Sequence, residues 1–220
     1  YFGNHRLTGK WSLHTEYQWR RNEWILNWQQ SLARIGIDYK VNDQAIITLG
    51  YGNIITYPYG KQPVLKTFNE NRIWQNLLLI NQNGIFNFSH RYRIEQRFTD
   101  KFIQNSNGEI VFDKVIYTNR IRYLFSIVTP INKKRIEKDA FFLRFYEEAF
   151  VSFGKNVGKN VFDQNRLYLA VGYQIENTTN IQIGYLNQLI FKADGLHFEN
   201  NHSLQIALTH NFDFRKNDLK

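Results

Sequence analysis

The side chains best suited to acid–base chemistry are six histidines, and only His14 has a serine and a carboxylate on the same predicted strand face. Ser12, His14 and Glu16 alternate along that face and could supply a nucleophile, a base and an orienting group. Residues two apart on a strand are separated by about 7 Å, which argues against direct contact between Ser12 and His14. We therefore expect His14 to form interior hydrogen bonds, and we predict no catalytic residue.

The residue types also argue against metal and cofactor chemistry. The 220-residue chain contains no Cys, which excludes disulfides and thiolate ligands. No metal-ligand spacing, glycine-rich phosphate loop or paired-carboxylate motif stands out. We predict no metal and no cofactor.

Charged side chains recur at alternate positions inside apolar stretches, most clearly in Gly84–Phe98. One face of this segment is aromatic and aliphatic, and the other carries Arg91, Arg93, Glu95 and Arg97. A period of two predicts a β-strand. In a soluble sandwich the apolar face would line the core, whereas in an outer-membrane barrel it would meet lipid and the charged face would line the lumen. This strand alone is compatible with both.

The same alternation in other strands gives a set of predicted inward charges, seven arginines against four glutamates. The set is Arg91, Arg93, Arg97, Arg120, Arg122, Arg144, Arg166, Glu16, Glu95, Glu148 and Glu176. We interpret it as a structural network that holds a lumen together. The alternative is a narrow passage that prefers anions, because arginine is in excess.

Strand length and spacing favour the membrane barrel. Predicted strands of ten or more residues match the roughly 9 to 11 tilted residues that cross a bilayer. Connections alternate between short and long, as on the two sides of an outer-membrane barrel, and Thr99–Asp113 is predicted to be a long polar loop. A parity change at Gln29-Gln30 predicts a bulge. We predict a closed antiparallel up-and-down all-β barrel of ten strands from Trp11 onward, or twelve if Tyr1–Leu7 and preceding residues join the wall.

Two further details concern the barrel wall. Gly50 and Gly52 are expected to face inward where another group approaches closely. The strand Arg72–Ile80 has no clear parity, because Trp74 and Gln75 compete for the outer face.

The composition predicts one secreted domain over residues 1–220. No apolar run approaches the roughly 18 residues of a transmembrane helix. Because the chain has no Met, we expect that Tyr1 follows a removed secretory signal peptide. The net charge of +9 would ordinarily suggest nucleic acid. Lysines, however, lie in predicted turns, loops and strand ends, and about half of the arginines lie within strands opposite the aromatics, so we expect no nucleic-acid partner.

Aromatic residues on the outer strand faces are predicted to form a lipid-facing belt, with docking of another barrel or a lipidated partner as the alternative. The belt comprises Trp11, Trp19, Phe86, Phe88, Tyr123, Phe125, Phe212 and Phe214. Expected partners are outer-membrane lipid and lipopolysaccharide, together with other outer-membrane or periplasmic proteins.

Three segments carry a family resemblance. Glu70–Asn76, His90–Phe98 and Tyr146–Phe150 resemble motifs of a domain-of-unknown-function family of bacterial outer-membrane proteins, common in the Bacteroidota. The likeness covers nearly the whole chain in the same order. The aromatic-ended strand Leu204–Phe214 is similar to the C-terminal signal read by the barrel-assembly machinery, although Arg215–Lys220 follow it. The resemblance implies a barrel in the outer membrane of a Gram-negative bacterium, inserted by that machinery, and implies no activity.

These inferences favour an integral outer-membrane barrel that acts as a non-catalytic structural or accessory subunit of an envelope complex. A narrow anion-preferring solute channel is the alternative. An outer-membrane hydrolase that uses His14 is the least favoured hypothesis.

Overall fold

In the computed structural model, which describes residues 1–23, 25–60 and 63–215, the chain forms eleven β-strands in one closed barrel. The strands are β1 Phe2–Arg6, β2 Trp11–Asn22, β3 Asn27–Lys40, β4 Ala45–Thr56, β5 Phe68–Asn83, β6 Phe86–Gln104, β7 Ile110–Pro130, β8 Phe141–Phe153, β9 Phe162–Glu176, β10 Thr179–Phe191 and β11 Phe198–His210. No helix in the described ranges is long and apolar enough to cross a membrane.

Consecutive strands pair with one another in antiparallel fashion around the barrel. The barrel closes where β1 pairs in parallel with β11, through Phe2 and Thr209, with a further bridge between Arg6 and Asp213. The predicted all-β closed barrel is confirmed, and the ten strands expected from Trp11 onward are present. Because β1 also forms part of the wall, the described barrel has eleven strands, and the pair that closes it, β1 with β11, is parallel.

The connections between strands fall at two ends of the barrel. At the end that we call the turn rim they are 7–10, 41–44, 84–85, 131–140 and 177–178. At the other end, the loop rim, they are 23–26, 57–67, 105–109, 154–161 and 192–197. Short connections therefore predominate at one end and longer ones at the other, with 131–140 the long exception at the turn rim.

A long hairpin stands where the sequence predicts a loop over Thr99–Asp113. β6 and β7 leave only 105–109 outside strands, with Gly108 in the turn at φ +83°. The loop prediction was wrong because apolar residues interrupt the polar stretch: Phe102 pairs with Phe112, and their ring centroids lie 6.0 Å apart. These pairs continue the strand ladder beyond the rest of the loop rim.

Side chains alternate between the inside and the outside of the barrel along each strand. On β6, Arg93 and Glu95 are buried inside, whereas Tyr92 and Ile94 are exposed outside. On β5, Trp74 is fully buried inside, which settles the parity that the sequence left open. Among the described residues, buried polar and charged side chains outnumber buried apolar ones, while many large apolar side chains are exposed. This distribution is the reverse of that in water-soluble globular proteins.

Six of the predicted belt aromatics project outward from strands, namely Trp11, Trp19, Phe86, Phe88, Tyr123 and Phe125. Phe212 and Phe214 lie beyond β11, which ends at His210 and not at Phe214 as predicted. The chain leaves β11 to run beside β1, where the Arg6 amide donates to the Phe212 carbonyl at 2.9 Å. There both rings are more than 45% exposed and contact His5.

Aromatic pairs on the outer surface lie near both rims. Near the turn rim, the ring centroids of Trp11 and Tyr39 are 4.8 Å apart. Near the loop rim, Trp19 meets Trp28 at 5.7 Å, and the Arg21 guanidinium lies 4.5 Å from the Trp28 ring. The outer surface therefore has aromatic clusters at each end of its apolar zone.

Several polar side chains on the outer surface pair with one another across adjacent strands. Gln75 and Gln96 exchange two amide hydrogen bonds of 3.1 and 3.2 Å. The Asn165 amide donates to the Glu147 carboxylate at 3.2 Å. Such pairs satisfy part of the polar groups' hydrogen-bonding capacity without water.

Candidate functional site

The barrel interior holds a network of arginine and carboxylate side chains centred on Glu95 of β6. The buried Glu95 carboxylate accepts hydrogen bonds from Arg120 Nη2 at 2.6 Å and from Arg122 Nη1 at 2.7 Å, both on β7. Arg122 also donates through Nε to Glu148 of β8 at 2.9 Å. Glu148 in turn accepts from Arg91 at 2.6 Å. Two carboxylates thus join three guanidinium groups across adjacent strands.

Two further carboxylates extend the network around the barrel. Glu70 accepts two hydrogen bonds from Arg97, at 2.7 and 2.9 Å, and also pairs with Arg72. On the opposite side of β4, Glu16 accepts from Arg34 Nη1 at 2.8 Å. Charge-assisted hydrogen bonds of this kind are about twice as strong as neutral ones. They compensate much of the cost of burying these charges.

Aromatic rings supply the remaining contacts at this level. Arg93 is nearly fully buried and makes no ion pair with a carboxylate in the described ranges, but its guanidinium lies 4.3 Å from the centroid of the Trp74 ring. A Cβ at Gly50 would overlap the Trp74 indole, and a Cβ at Gly52 would lie 2.9 Å from the Arg34 side chain. The predicted inward close approach at both glycines is therefore confirmed.

Apolar side chains fill the interior between the network and the turn rim. Tyr168, Ala170 and Leu186 form a buried cluster. Nearer the rim, Phe142 is 3% exposed, and its ring occupies the space that a side chain at Gly172 would need. On this side of the network the interior is packed with side chains.

A cavity of about 220 Å³ lies on the other side of the network, toward the loop rim. Its deep wall contains Arg34, Arg72, Arg120 and Arg122, and residues nearer the rim include Tyr59, Lys192 and Glu199. Eight basic side chains line this cavity against three acidic ones. The cavity therefore presents an excess of positive charge.

Two of the basic side chains in the cavity have no carboxylate partner. Arg20 of β2 donates from Nη2 to the Gln18 side-chain oxygen at 2.6 Å and forms no ion pair within the described chain. The Arg166 guanidinium of β9 lies 4.9 Å from the centroid of the Phe150 ring, and it too forms no ion pair with any described residue. Both positive charges remain uncompensated by protein carboxylates in this part of the molecule.

Tyr59 marks the upper wall of the cavity. Its hydroxyl donates to Glu199 at 3.4 Å. Burial of the phenol is the main cause that raises the pKa of Tyr59 above its ordinary value. The hydroxyl therefore stays protonated at neutral pH and can donate a hydrogen bond.

Most of the charges predicted to face inward do lie on the inner surface of the barrel. They are Arg91, Arg93, Arg97, Arg120, Arg122, Arg144, Arg166, Glu16, Glu95 and Glu148. Seven of them form ion pairs in the network, whereas Arg144 lies 5.8 Å from the Tyr146 ring centroid and forms no ion pair among the described residues. Glu176 was wrongly included: it is exposed at the turn rim, where β9 ends, and it pairs with Lys138 at 2.6 Å.

The set of inward charges predicted from the sequence lacks several charges of the interior, namely Arg20, Arg34, Asp38, Glu70, Arg72 and Asp163. The signal for Arg34 was the parity change on β3. The structure has the bulge predicted at Gln29-Gln30, because the register between β2 and β3 shifts there and leaves Gln29 as the extra residue. After this bulge, the side chains that face inward on β3 include Arg34. For Arg72 the signal was the glutamate two positions before it, which shares its strand face.

The surroundings of His14 do not form a catalytic arrangement. His14 faces the interior, and its Nε2 lies 3.7 Å from Glu16, whose carboxylate is already engaged by Arg34. The His14 ring packs edge-on against Trp74 at 5.3 Å. No hydrogen bond joins His14 to Ser12 in the described structure, as the strand spacing indicated.

The fold and its interior define a closed all-β barrel with a charged core and an apolar exterior. The chain belongs to the family described as "Protein of unknown function (DUF2490)", whose family model matches residues 1–216. The resemblance to a domain-of-unknown-function family is thereby confirmed. Neither the curated proteins nor the solved structures contain a match to this chain.

Proposed function

We propose that this protein is an integral outer-membrane β-barrel with a sealed interior, and that it serves as a non-catalytic structural or accessory subunit of an envelope complex. The observation that carries this proposal is the reversed polarity of the barrel. Glu95 is buried inside with 0% exposure, whereas Leu49 on the outside is 61% exposed and Ile183 is 51% exposed. Large continuous apolar surfaces are rare on soluble monomers, whereas a bilayer covers them.

The ends of the apolar zone support the same placement. Aromatic clusters near both rims, such as Trp11 with Tyr39 and Trp19 with Trp28, correspond to the two interfacial girdles of outer-membrane barrels. Polar outer residues are paired, as in Gln75 with Gln96. Pairing lowers the cost of placing an amide in a medium without water.

The filled interior supports a subunit role over transport. Trp74, Phe150 and Tyr168 are at most 1% exposed and lie within the barrel. Together with the Glu95 and Glu148 ion pairs they occupy the middle of the barrel, as side chains do in small barrels with a filled interior. A barrel that does not transport solutes can still bind other proteins of the envelope through its outer surface and its rims.

Recovery from native outer membranes tests this proposal. Affinity-tagged protein should sediment with the outer-membrane fraction and, after extraction in mild detergent, should co-purify with a defined partner in a fixed ratio. An unrelated tagged outer-membrane barrel, purified in parallel, controls for adventitious association. Recovery with soluble periplasmic proteins would contradict the membrane location, and recovery strictly alone would contradict the subunit role.

A narrow anion-preferring channel is the second candidate, because eight basic side chains face three acidic ones in the cavity. Conduction requires the packed layer around Phe142 and Tyr168 to open. Single-channel recording in planar bilayers separates the two candidates. We expect no steady conductance, and a steady anion-selective current would favour the channel.

A further inference from the structure

We propose that the cavity at the loop rim binds a phosphate group, either of a small soluble phosphate or of a lipid headgroup, between Arg20 and Arg166. The inference concerns the interior of the barrel and does not depend on its membrane location. It starts from the charge in the cavity, which the ion pairs of the central network do not balance.

The carboxylates that line the cavity already pair with other cationic side chains. Glu70 is shared by Arg72 and Arg97, and Asp163 accepts from Arg120 at 2.7 Å. Lys192 pairs with Glu199. None of these carboxylates forms an ion pair with Arg20 or Arg166 in the described structure.

Arg20 and Arg166 approach the cavity from different parts of the wall. Arg20 is on β2 and Arg166 on β9, and three strands, β1, β11 and β10, separate them along the barrel. Both side chains line the same cavity. Two like charges in one partly enclosed space repel each other, and burying them without a counter-charge is costly. An anion between them removes both penalties.

Phosphate fits this position better than a monovalent anion. A phosphate dianion offsets both guanidinium charges at once, whereas chloride or a carboxylate leaves one charge unmatched. The guanidinium fork also matches phosphate oxygens in geometry and donates two hydrogen bonds at a time. Gln188 lines the same wall and can donate from its side-chain amide.

The size of the cavity limits what else the ligand can carry. About 220 Å³ corresponds to roughly seven water molecules at about 30 Å³ each. This volume accepts a phosphate with a small organic group. Leu32, Phe68 and Ile190 give the cavity an apolar wall beside the guanidinium groups. A short apolar substituent on the phosphate would contact them.

Calorimetric titration of the purified, detergent-solubilised protein tests the proposal with three probes at constant ionic strength in chloride. Inorganic phosphate and glycerol phosphate represent soluble ligands, and lipopolysaccharide dispersed in the same detergent represents a lipid headgroup. We expect saturable binding of at least one probe. Binding of the soluble probes identifies a free phosphate or small monoester as the ligand, and binding of lipopolysaccharide alone identifies a headgroup phosphate.

Variants locate the site. Arg20→Gln and Arg166→Gln should each weaken binding by about tenfold or more, because each removes charged hydrogen bonds. Arg144→Gln is the matched control, since Arg144 also lacks a carboxylate partner in the described chain but does not line the cavity. It should bind as the unaltered protein does. Heat-dependent mobility in gels verifies that each variant is folded.

Two results would overturn the proposal. One is the absence of saturable binding of all three probes to the unaltered protein, a result that needs no variant. The other is binding that Arg20→Gln and Arg166→Gln leave unchanged. If one of these variants does not fold, the other decides the location of the site.

Discussion

Arg122 donates to Glu95 at 2.7 Å in the middle of the barrel, where the two residues are 3% and 0% exposed. Charged side chains are therefore buried inside the barrel, whereas apolar side chains such as Leu49, which is 61% exposed, lie on its outer surface. Replacing a buried ion pair by apolar groups can be neutral, but removing one partner leaves an uncompensated charge and is strongly destabilising. The stability of the barrel should therefore depend strongly on its interior carboxylates.

The Glu95→Gln substitution should lower the free energy of unfolding by about 3–5 kcal/mol, because Arg120 and Arg122 lose their shared counter-charge. Urea titration followed by circular dichroism in detergent micelles measures the change. Glu147→Gln is the control, because Glu147 is an exposed carboxylate on the outer face of β8, which β7 separates from β6. We expect no loss of stability from it. Equal effects of the two substitutions would argue against a central role for Glu95.

Gly50→Ala should destabilise the barrel by about 1–3 kcal/mol, because the added Cβ would overlap the Trp74 indole. Trp74→Ala alone should cost about 3–5 kcal/mol. In the Trp74→Ala background, Gly50→Ala should cost less than it does alone, since only the approach of the added Cβ to the Ile35 carbonyl oxygen at 2.7 Å remains.

The same unfolding measurement on all four proteins gives the coupling between Gly50 and Trp74. Gly9→Ala is the control, because no atom lies within 4 Å of the added Cβ. Additive effects of Gly50→Ala and Trp74→Ala would show that the ring does not rest on this glycine.

Sequence patterning predicted the barrel because the inside and outside of each wall strand differ in chemistry. On β6, the four charged residues from Arg91 to Arg97 alternate with Tyr92, Ile94 and Gln96, and all four face inward in the structure. The pattern failed at Thr99–Asp113, where pairing of Phe102 with Phe112 outweighed a polar composition. It also failed at the end of β11, because the chain turns to pair with β1, a contact between distant parts of the sequence.

The cavity could not be predicted from the sequence. Arg20 and Arg166 lie on strands that are far apart in the chain, and what meets across the interior depends on the stagger of the whole barrel. Each arginine alone reads as one more inward charge. Only the three-dimensional structure shows that Arg20 and Arg166 line the same cavity and that neither pairs with a carboxylate among the described residues.

The Leu49→Arg substitution should cost about 2–4 kcal/mol in lipid vesicles, because the outer surface of β4 would place the charge in the bilayer. Leu196→Arg, in the connection 192–197 where Leu196 is 80% exposed, should change stability by no more than about 0.5 kcal/mol. Reversible unfolding from vesicles measures both. If Leu49→Arg is as harmless as Leu196→Arg, the outer surface of β4 faces water.

The orientation of the wall in a membrane can be measured directly with spin labels. The chain has no Cys, so Leu49→Cys, Thr56→Cys and Leu196→Cys each provide a single attachment point. In vesicles, the label at Leu49 should collide with oxygen dissolved in the acyl chains and be shielded from a water-soluble nickel chelate. The label at Thr56, which lines the cavity, and the one at Leu196 should show the reverse. A label at Leu49 that meets the nickel chelate as readily as the one at Leu196 would contradict the membrane-spanning barrel.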